Sequence, residues 1–234
     1  MLICRPEQSP LKLLNEKLSA DPARVVLRPF HLAWASNVSE PPRAAQLVGD
    51  ICALDEDQAE LELGLIWKDF SERHWQIGQI FDDRFAEIAE DVGLDESSVS
   101  PVKRRLIGAY FCHEYSYAAA ALMNPSIVPH PDQSGIEGER LRFVMSMRAV
   151  GEGHISSVAF REGIIGPGAD FQLWPQSGPA MAAVADDRHH VEPDAPVLVH
   201  RQPGSAISNS VLFPVTEAQR NGLEDLRLVR FVHD

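Results

Sequence analysis

The stretch that most restricts this chain runs from residue 124 to residue 163. Within it Leu141, Phe143, Met145 and Met147 alternate with Arg142, Val144, Ser146 and Arg148. Only an extended strand turns a period of two into one apolar face and one polar face. Gly151-Glu152-Gly153 follows as a tight hairpin signal, and 154–162 reads as the returning strand. Asn124-Pro125 opens the region, because a residue before proline avoids the helical conformation. An antiparallel sheet is therefore required in the C-terminal half. A polar strand face with an arginine on it suits a site that grips hydroxyl groups.

The N-terminal half has a different texture. One strand is expected at 24–30. Beyond Pro41-Pro42, Ala44, Leu47, Val48 and Ile51 recur at helical spacing. Asp55 followed by Gln58 reads as a capping box for a helix reaching about residue 74, with Leu61, Leu65 and Phe70 on one stripe. Ile77, Ile80, Phe81, Phe85 and Ile88 define a third helix, and Gly93 closes it. Ser100-Pro101 starts a fourth, expected over 102–123 with Leu106, Ala109, Tyr110 and Tyr117 on its core face.

Past the hairpin, 164–190 is rich in Gly and Pro and is expected to be a long loop. Strands are expected at 126–130, 197–200, 211–215 and 226–232, with a helical turn near 217–221. The fold class is thus α+β, with a mainly helical region over 1–120 and antiparallel β structure over 121–234.

Bulk numbers narrow the function classes. The chain has 234 residues and a formal net charge of -13, from 34 acidic against 21 basic side chains. Such a surface repels phosphate backbones, so nucleic acid is not an expected partner. No apolar run reaches the roughly 18 residues of a membrane helix, and the first residues lack the pattern of a signal peptide. Cys4, Cys52 and Cys112 are far apart and form no CxxC pair, so neither zinc nor a disulfide framework is expected. A reducing cytoplasm fits this usage.

The candidate chemistry sits at a few positions. Asp225 follows Glu224 and precedes Arg227; alternation sends Asp225 and Arg227 to one face and Glu224 to the other. Asp225 then reads either as an acid or as a solvated carboxylate paired with Arg227. Arg148 shares its face with Ser146 and Val144, where a guanidinium can fork two hydroxyls or a carboxylate or simply stand exposed on the polar face. Glu152 and His154 flank it on the hairpin. Asn124 offers an amide or is simply a helix stop. His130, Asp132 and Gln133 suit turn chemistry. His113-Glu114 begins like HExxH, but Tyr117 stands where the second His belongs, so a packed helical pair is expected rather than a metal site. His189-His190 lies in an acidic stretch read as a solvated loop. No phosphate-binding GxxxxGK loop and no GxSxG elbow is present.

Taken together, Asn124-Pro125-Ser126, Arg148-Ala149-Val150-Gly151-Glu152, His154-Ile155-Ser156-Ser157 and the run from Gly222 to Arg227 resemble glycoside hydrolase family 130, the β-mannoside phosphorylases and mannosidases. The resemblance covers most of the chain, loosely before residue 100 and tightly from 106 to 163. It implies a five-bladed β-propeller with the sugar site at its central mouth and inversion at the anomeric carbon of β-mannosides. Asp225 would be the proton donor. Asn124 and Arg148 would line the sugar pocket, with Glu152, His154, Glu224 and Arg227 as further contacts. The attacking group would be water or inorganic phosphate, the latter as co-substrate, with no metal or organic cofactor.

The resemblance also implies an incomplete propeller, since the family's phosphate-binding positions lie beyond the Asp225 motif. An N-terminal fragment, too short for activity on its own, is the corresponding expectation. A non-catalytic carbohydrate-binding or protein-interaction module is the competing one.

Overall fold

The computed structural model describes residues 13–30, 43–176, 178–185 and 197–232. The chain divides into two compact units, one of residues 25–115 and one formed by the described parts of 1–24 and 116–234. His189, His190 and Cys4 lie outside the described residues.

The unit 25–115 begins with β1 (Val25–Pro29) and continues through α1 (Arg43–Ala53), α2 (Glu56–Phe70), α3 (Ile77–Val92) and α4 (Pro101–Tyr110) to β2 (Cys112–Ser116). Local chemistry sets three of the helix ends. The Asp55 carboxylate accepts from the Gln58 amide at 2.8 Å, and the Gln58 side chain accepts from the Asp55 amide at 3.2 Å. This reciprocal box satisfies two of the amides a helix start leaves open. Gly93 ends α3 with a φ of 66°, a left-handed conformation that glycine adopts without steric cost. Ser100 caps α4, with Pro101 in its first turn.

The core of this unit gathers Val48 and Ile51 from α1, Phe85 and Ile88 from α3, and Leu106 and Ile107 from α4. On α2 the inward stripe is Ala59, Leu63, Ile66 and Phe70. Leu61 and Leu65, expected on the core face, are 69% and 54% exposed. The helix carries two apolar stripes, and the neighbouring helices cover only the other one.

The expected helix over 102–123 is corrected. It stops at Tyr110, and β2 pairs with β1 in a two-stranded sheet. The aromatic-rich run Phe111 to Tyr117 fits a pleated, half-buried surface better than a helix. His113 and Glu114 accordingly lie on a strand and not on a helical turn.

The second unit is built on β3 (Ala121–Pro129), β4 (Leu141–Val150), β5 (Ser156–Gly166) and β6 (Asp170–Leu173), an antiparallel meander. Further along come β7 (Met181–Ala182), β8 (Val184–Ala185), β9 (Val199–His200) and β10 (Ser210–Leu212). The main sheet runs β3-β4-β5-β10-β7, with β6 also on β5; β10 is antiparallel to β5 and parallel to β7. β8 and β9 form a separate pair.

The alternation in β4 is realised as expected. Phe143, Met145 and Met147 face an apolar layer completed by Leu18, Phe171 and Leu173. Gly163 lets β6 approach, since a Cβ there would stand 2.1 Å from the Gln172 carbonyl.

Three expectations change here. The β4–β5 connection is a 3₁₀ turn, Glu152–His154, so His154 lies in the turn and β5 starts at Ser156. The stretch 164–190, expected to be a loop, contains the end of β5 together with β6, β7 and β8. The stretch 226–232 makes no strand; the Leu226 carbonyl and the Leu228 amide bond to serine hydroxyls of the sheet instead of to a neighbouring strand.

Candidate functional site

The polar face of β3, β4 and β5 carries the site. A bulge interrupts the β3–β4 register between Met123 and Ser126, where Asn124 takes a φ of 54°. Asn is among the few residues that tolerate this left-handed region, and the following proline removes a ladder donor. The bulge re-aims the Asn124 side chain. Its Nδ2 donates to Oδ1 of Asp225 at 2.7 Å.

Asp225 is held on its other oxygen by Arg227, whose Nη2 donates to Oδ2 at 3.0 Å. The same guanidinium donates through Nη1 to the Pro125 carbonyl at 3.2 Å. Arg227 therefore ties the acid to the bulge as well as pairing with it. The Asp225 side chain keeps 29% of its exposure, so the carboxylate is partly enclosed yet reachable.

Arg148 projects from β4 on the same face. Its Nε donates to the Ser156 hydroxyl at 3.1 Å, and its Nη1 meets Oε2 of Glu224 at 2.5 Å. The adjacent carboxylates thus part company: Glu224 pairs with Arg148, and Asp225 pairs with Arg227 and Asn124. Asn124, Arg148, Glu224, Asp225 and Arg227 come together in one place. Glu152 and His154 sit in the exposed turn at the ends of β4 and β5, and His154 takes a φ of 61°.

The segment bearing Asp225 is anchored by residues the sequence reading did not single out as site residues. The Leu223 amide donates to the Ser156 carbonyl at 3.0 Å. Ser146 Oγ donates to the Leu226 carbonyl at 2.9 Å, and the Leu228 amide donates to Ser126 Oγ at 2.9 Å. The available signal was the recurrence of serine on strand positions that share a face with Arg148.

A second polar cluster occupies the other end of this face. Arg142 donates to Asp132 at 3.1 Å and to Glu162 at 2.6 Å, with the Trp174 ring 4.8 Å from its guanidinium carbon. His130 Nε2 lies 3.5 Å from Glu162, and Gln133 bonds the main chain of His130 and Arg142. Burial alone would raise the Glu162 carboxyl. The Arg142 guanidinium and the Ser208 amide outweigh it and hold the group below its ordinary range. Hydrogen bonds from Ser134, with smaller help from Arg142 and His130, likewise lower Asp132. The HPDQSG loop is thus fixed to the sheet by its own polar side chains.

In the unit 25–115, Glu114 accepts from Arg73 Nε and meets His74 Nε2, both at 2.7 Å. Burial raises its carboxyl, and the two partners more than reverse that. Among the described residues no group of three or more His, Cys, Asp or Glu side chains comes together as a metal site, and no helix is long and apolar enough to cross a membrane.

Chemically, the Asp225 site presents one partly enclosed carboxyl between an amide donor and a guanidinium, beside a second ion pair. Such a group can exchange a proton with a bound oxygen while neighbouring donors orient hydroxyls. Comparison of the chain with protein-family models, with curated proteins and with solved structures finds no match.

Proposed function

We propose that the chain acts on β-mannosides as an inverting glycosidase or glycoside phosphorylase, with Asp225 as proton donor. The observation that supports this reading is the meeting of Asn124, Asp225 and Arg227, residues of motifs 101 positions apart, on one polar sheet face. Asp225 would give its proton to the glycosidic oxygen as the bond to the anomeric carbon breaks. Water or inorganic phosphate would attack that carbon from the opposite face. Asn124 and Arg148 would orient the sugar, with Glu152, His154, Glu224 and Arg227 around it.

In the proposed architecture the meander β3 to β6 is one blade of a five-bladed propeller, since blades are four-stranded antiparallel sheets. Closure requires blades further to the described strands. Phosphate is the one co-substrate in this reading, and no metal or organic cofactor takes part. The cysteine usage and the net charge of -13 favour a cytoplasmic enzyme without a nucleic-acid partner.

The test is the release of mannose or mannose 1-phosphate from β-mannosides, with and without phosphate, by the chain and by its Asp225→Asn variant. Activity that survives this substitution removes the acid assignment. Exposure of Val229, Phe231 and Val232 at 83%, 85% and 68% favours a second reading, a non-catalytic module that docks a partner. Glycan binding or partner capture without turnover would support it.

A further inference from the structure

We infer that Ser126, Ser146 and Ser156 are positioning residues that clamp the segment 222–228 across the sheet and thereby set Asp225. The segment lies along no strand. Its backbone groups are satisfied in turn by three adjacent strands: Leu223 N–H by the Ser156 carbonyl on β5, Leu226 C=O by the Ser146 hydroxyl on β4, and Leu228 N–H by the Ser126 hydroxyl on β3. These bonds bracket Asp225 on both sides. Ser126 and Ser146 are direct cross-strand partners, so two of the three anchors share one rung of the ladder.

The anchors are tightly built. Ser146 is fully buried. Ser156 has a second task, because its hydroxyl accepts from Arg148, which in turn holds Glu224. The segment enters through Gly222 at a φ of 105°, and a Cβ there would stand 2.9 Å from Cβ of Ser156. Only glycine lets the backbone lie this close to β5. The acid's location relative to Asn124 and Arg148 is thus set by two hydroxyls and one backbone carbonyl on other strands. A reacting group displaced by about 1 Å loses roughly 100-fold in rate, so such anchors matter to turnover without touching substrate.

The catalytic half of this inference rests on the proposed function; the structural half does not. The experiment compares the chain with Ser126→Ala and with the Ser126→Ala/Ser146→Ala double variant. Hydrogen–deuterium exchange reads the peptide covering 222–230. About tenfold faster exchange is expected there in both variants, with peptides of 43–110 unchanged, and Ser126→Thr, which keeps the hydroxyl, restores protection. Unchanged exchange of 222–230 overturns the clamp. Ser126 is only partly buried, so the single variant carries this arm if the double variant does not fold.

The second arm compares a mannoside with a poor leaving group against 2,4-dinitrophenyl β-mannoside, whose departure needs no protonation. The expected loss is about 100-fold on the first and much less on the second. Equal losses on both, in a folded variant, overturn the positioning role. If the parent chain splits neither substrate, the proposed function has failed for this chain, and the exchange arm alone decides the clamp.

Discussion

Asn124 and Asp225 stand 101 positions apart and meet through a 2.7 Å hydrogen bond from an amide nitrogen to a carboxylate oxygen. The bond depends on two properties of one residue, since Asn124 must also accept a φ of 54° at the β3 bulge. Two substitutions separate these properties. Asn124→Gly keeps the backbone and removes the donor, so its melting temperature should fall by the loss of the hydrogen bond alone. Asn124→Ala removes the donor and adds about 1–2 kcal/mol of backbone strain, so it should melt lower still. A hydrogen bond to a charged group is worth roughly 1.5–3 kcal/mol. Both variants should therefore lose activity on a β-mannoside by about 10–100-fold. Paired melting curves and kcat/KM values check this, and a fully active Asn124→Gly sinks it.

The Glu162 cluster predicts an acid-labile sheet. The folded carboxyl lies below the ordinary glutamate value of 4.5, because Arg142 and the Ser208 amide favour its charged form against the cost of burial. A depressed carboxyl stabilises fully above the unfolded value and loses that contribution as pH falls through the folded one. Thermal stability should therefore decline below about pH 4.5, with Asp132 and, in the other unit, Glu114 adding in the same direction. Glu162→Gln should lower stability at pH 7 by roughly 1–3 kcal/mol and flatten part of the acid slope. Melting temperatures between pH 3 and pH 7 read both effects. An unaltered slope in Glu162→Gln removes the assignment.

What was legible in the sequence was what neighbours in sequence decide. The Asp55–Gln58 box, the Gly93 stop and the β4 alternation are set within a few residues, and each is found where the sequence puts it. The end of α4 was not legible in this way. Alanines at 118–121 mimic a helix, while β2 is held by pairing with β1 from the start of the same unit. On α2 the spacing of Leu61 and Leu65 is as helical as that of Leu63 and Ile66, and only the packing of other helices chooses between the stripes. At the site, Asp225 and Arg227 share a side as alternation requires, although the segment forms no strand. The partners of the serine anchors were not legible for a related reason, although the recurrence of serine on that face was. A hydroxyl on a polar strand face has no visible partner until a distant segment crosses it.

Cys112 gives a prediction independent of function. Burial, with Glu87 adding to it, pushes its thiol up to about 12 against an ordinary 9.0, and Arg84 does not reverse the shift. Very little thiolate is therefore present at pH 8. Native Cys112 should resist iodoacetamide at pH 8 and react readily in urea. Peptide mapping distinguishes it from Cys52 and Cys4. Rapid native labelling of Cys112 contradicts this environment.

One chemical change should have opposite effects at two helical glycines, Gly108 at the contact of α3 with α4 and Gly49 in α1. A Cβ on Gly108 would lie 1.9 Å from the Phe81 carbonyl oxygen and 2.7 Å from its carbon. Backbone cannot yield as a flexible side-chain end does, so the two helices would have to separate. The separation would open the core around Phe81, Leu106 and Ile107, all of which are nearly or completely buried. Gly108→Ala should thus destabilise the unit 25–115 by about 3 kcal/mol or more. Gly49 sits inside α1 with nothing within 4 Å of an added Cβ. There the methyl group only restricts the unfolded chain and improves helix propensity, so Gly49→Ala should stabilise by about 0.5–1 kcal/mol. Chemical denaturation followed by far-UV circular dichroism measures both. A Gly108→Ala variant as stable as the parent would mean that the two helices do not approach as closely as described.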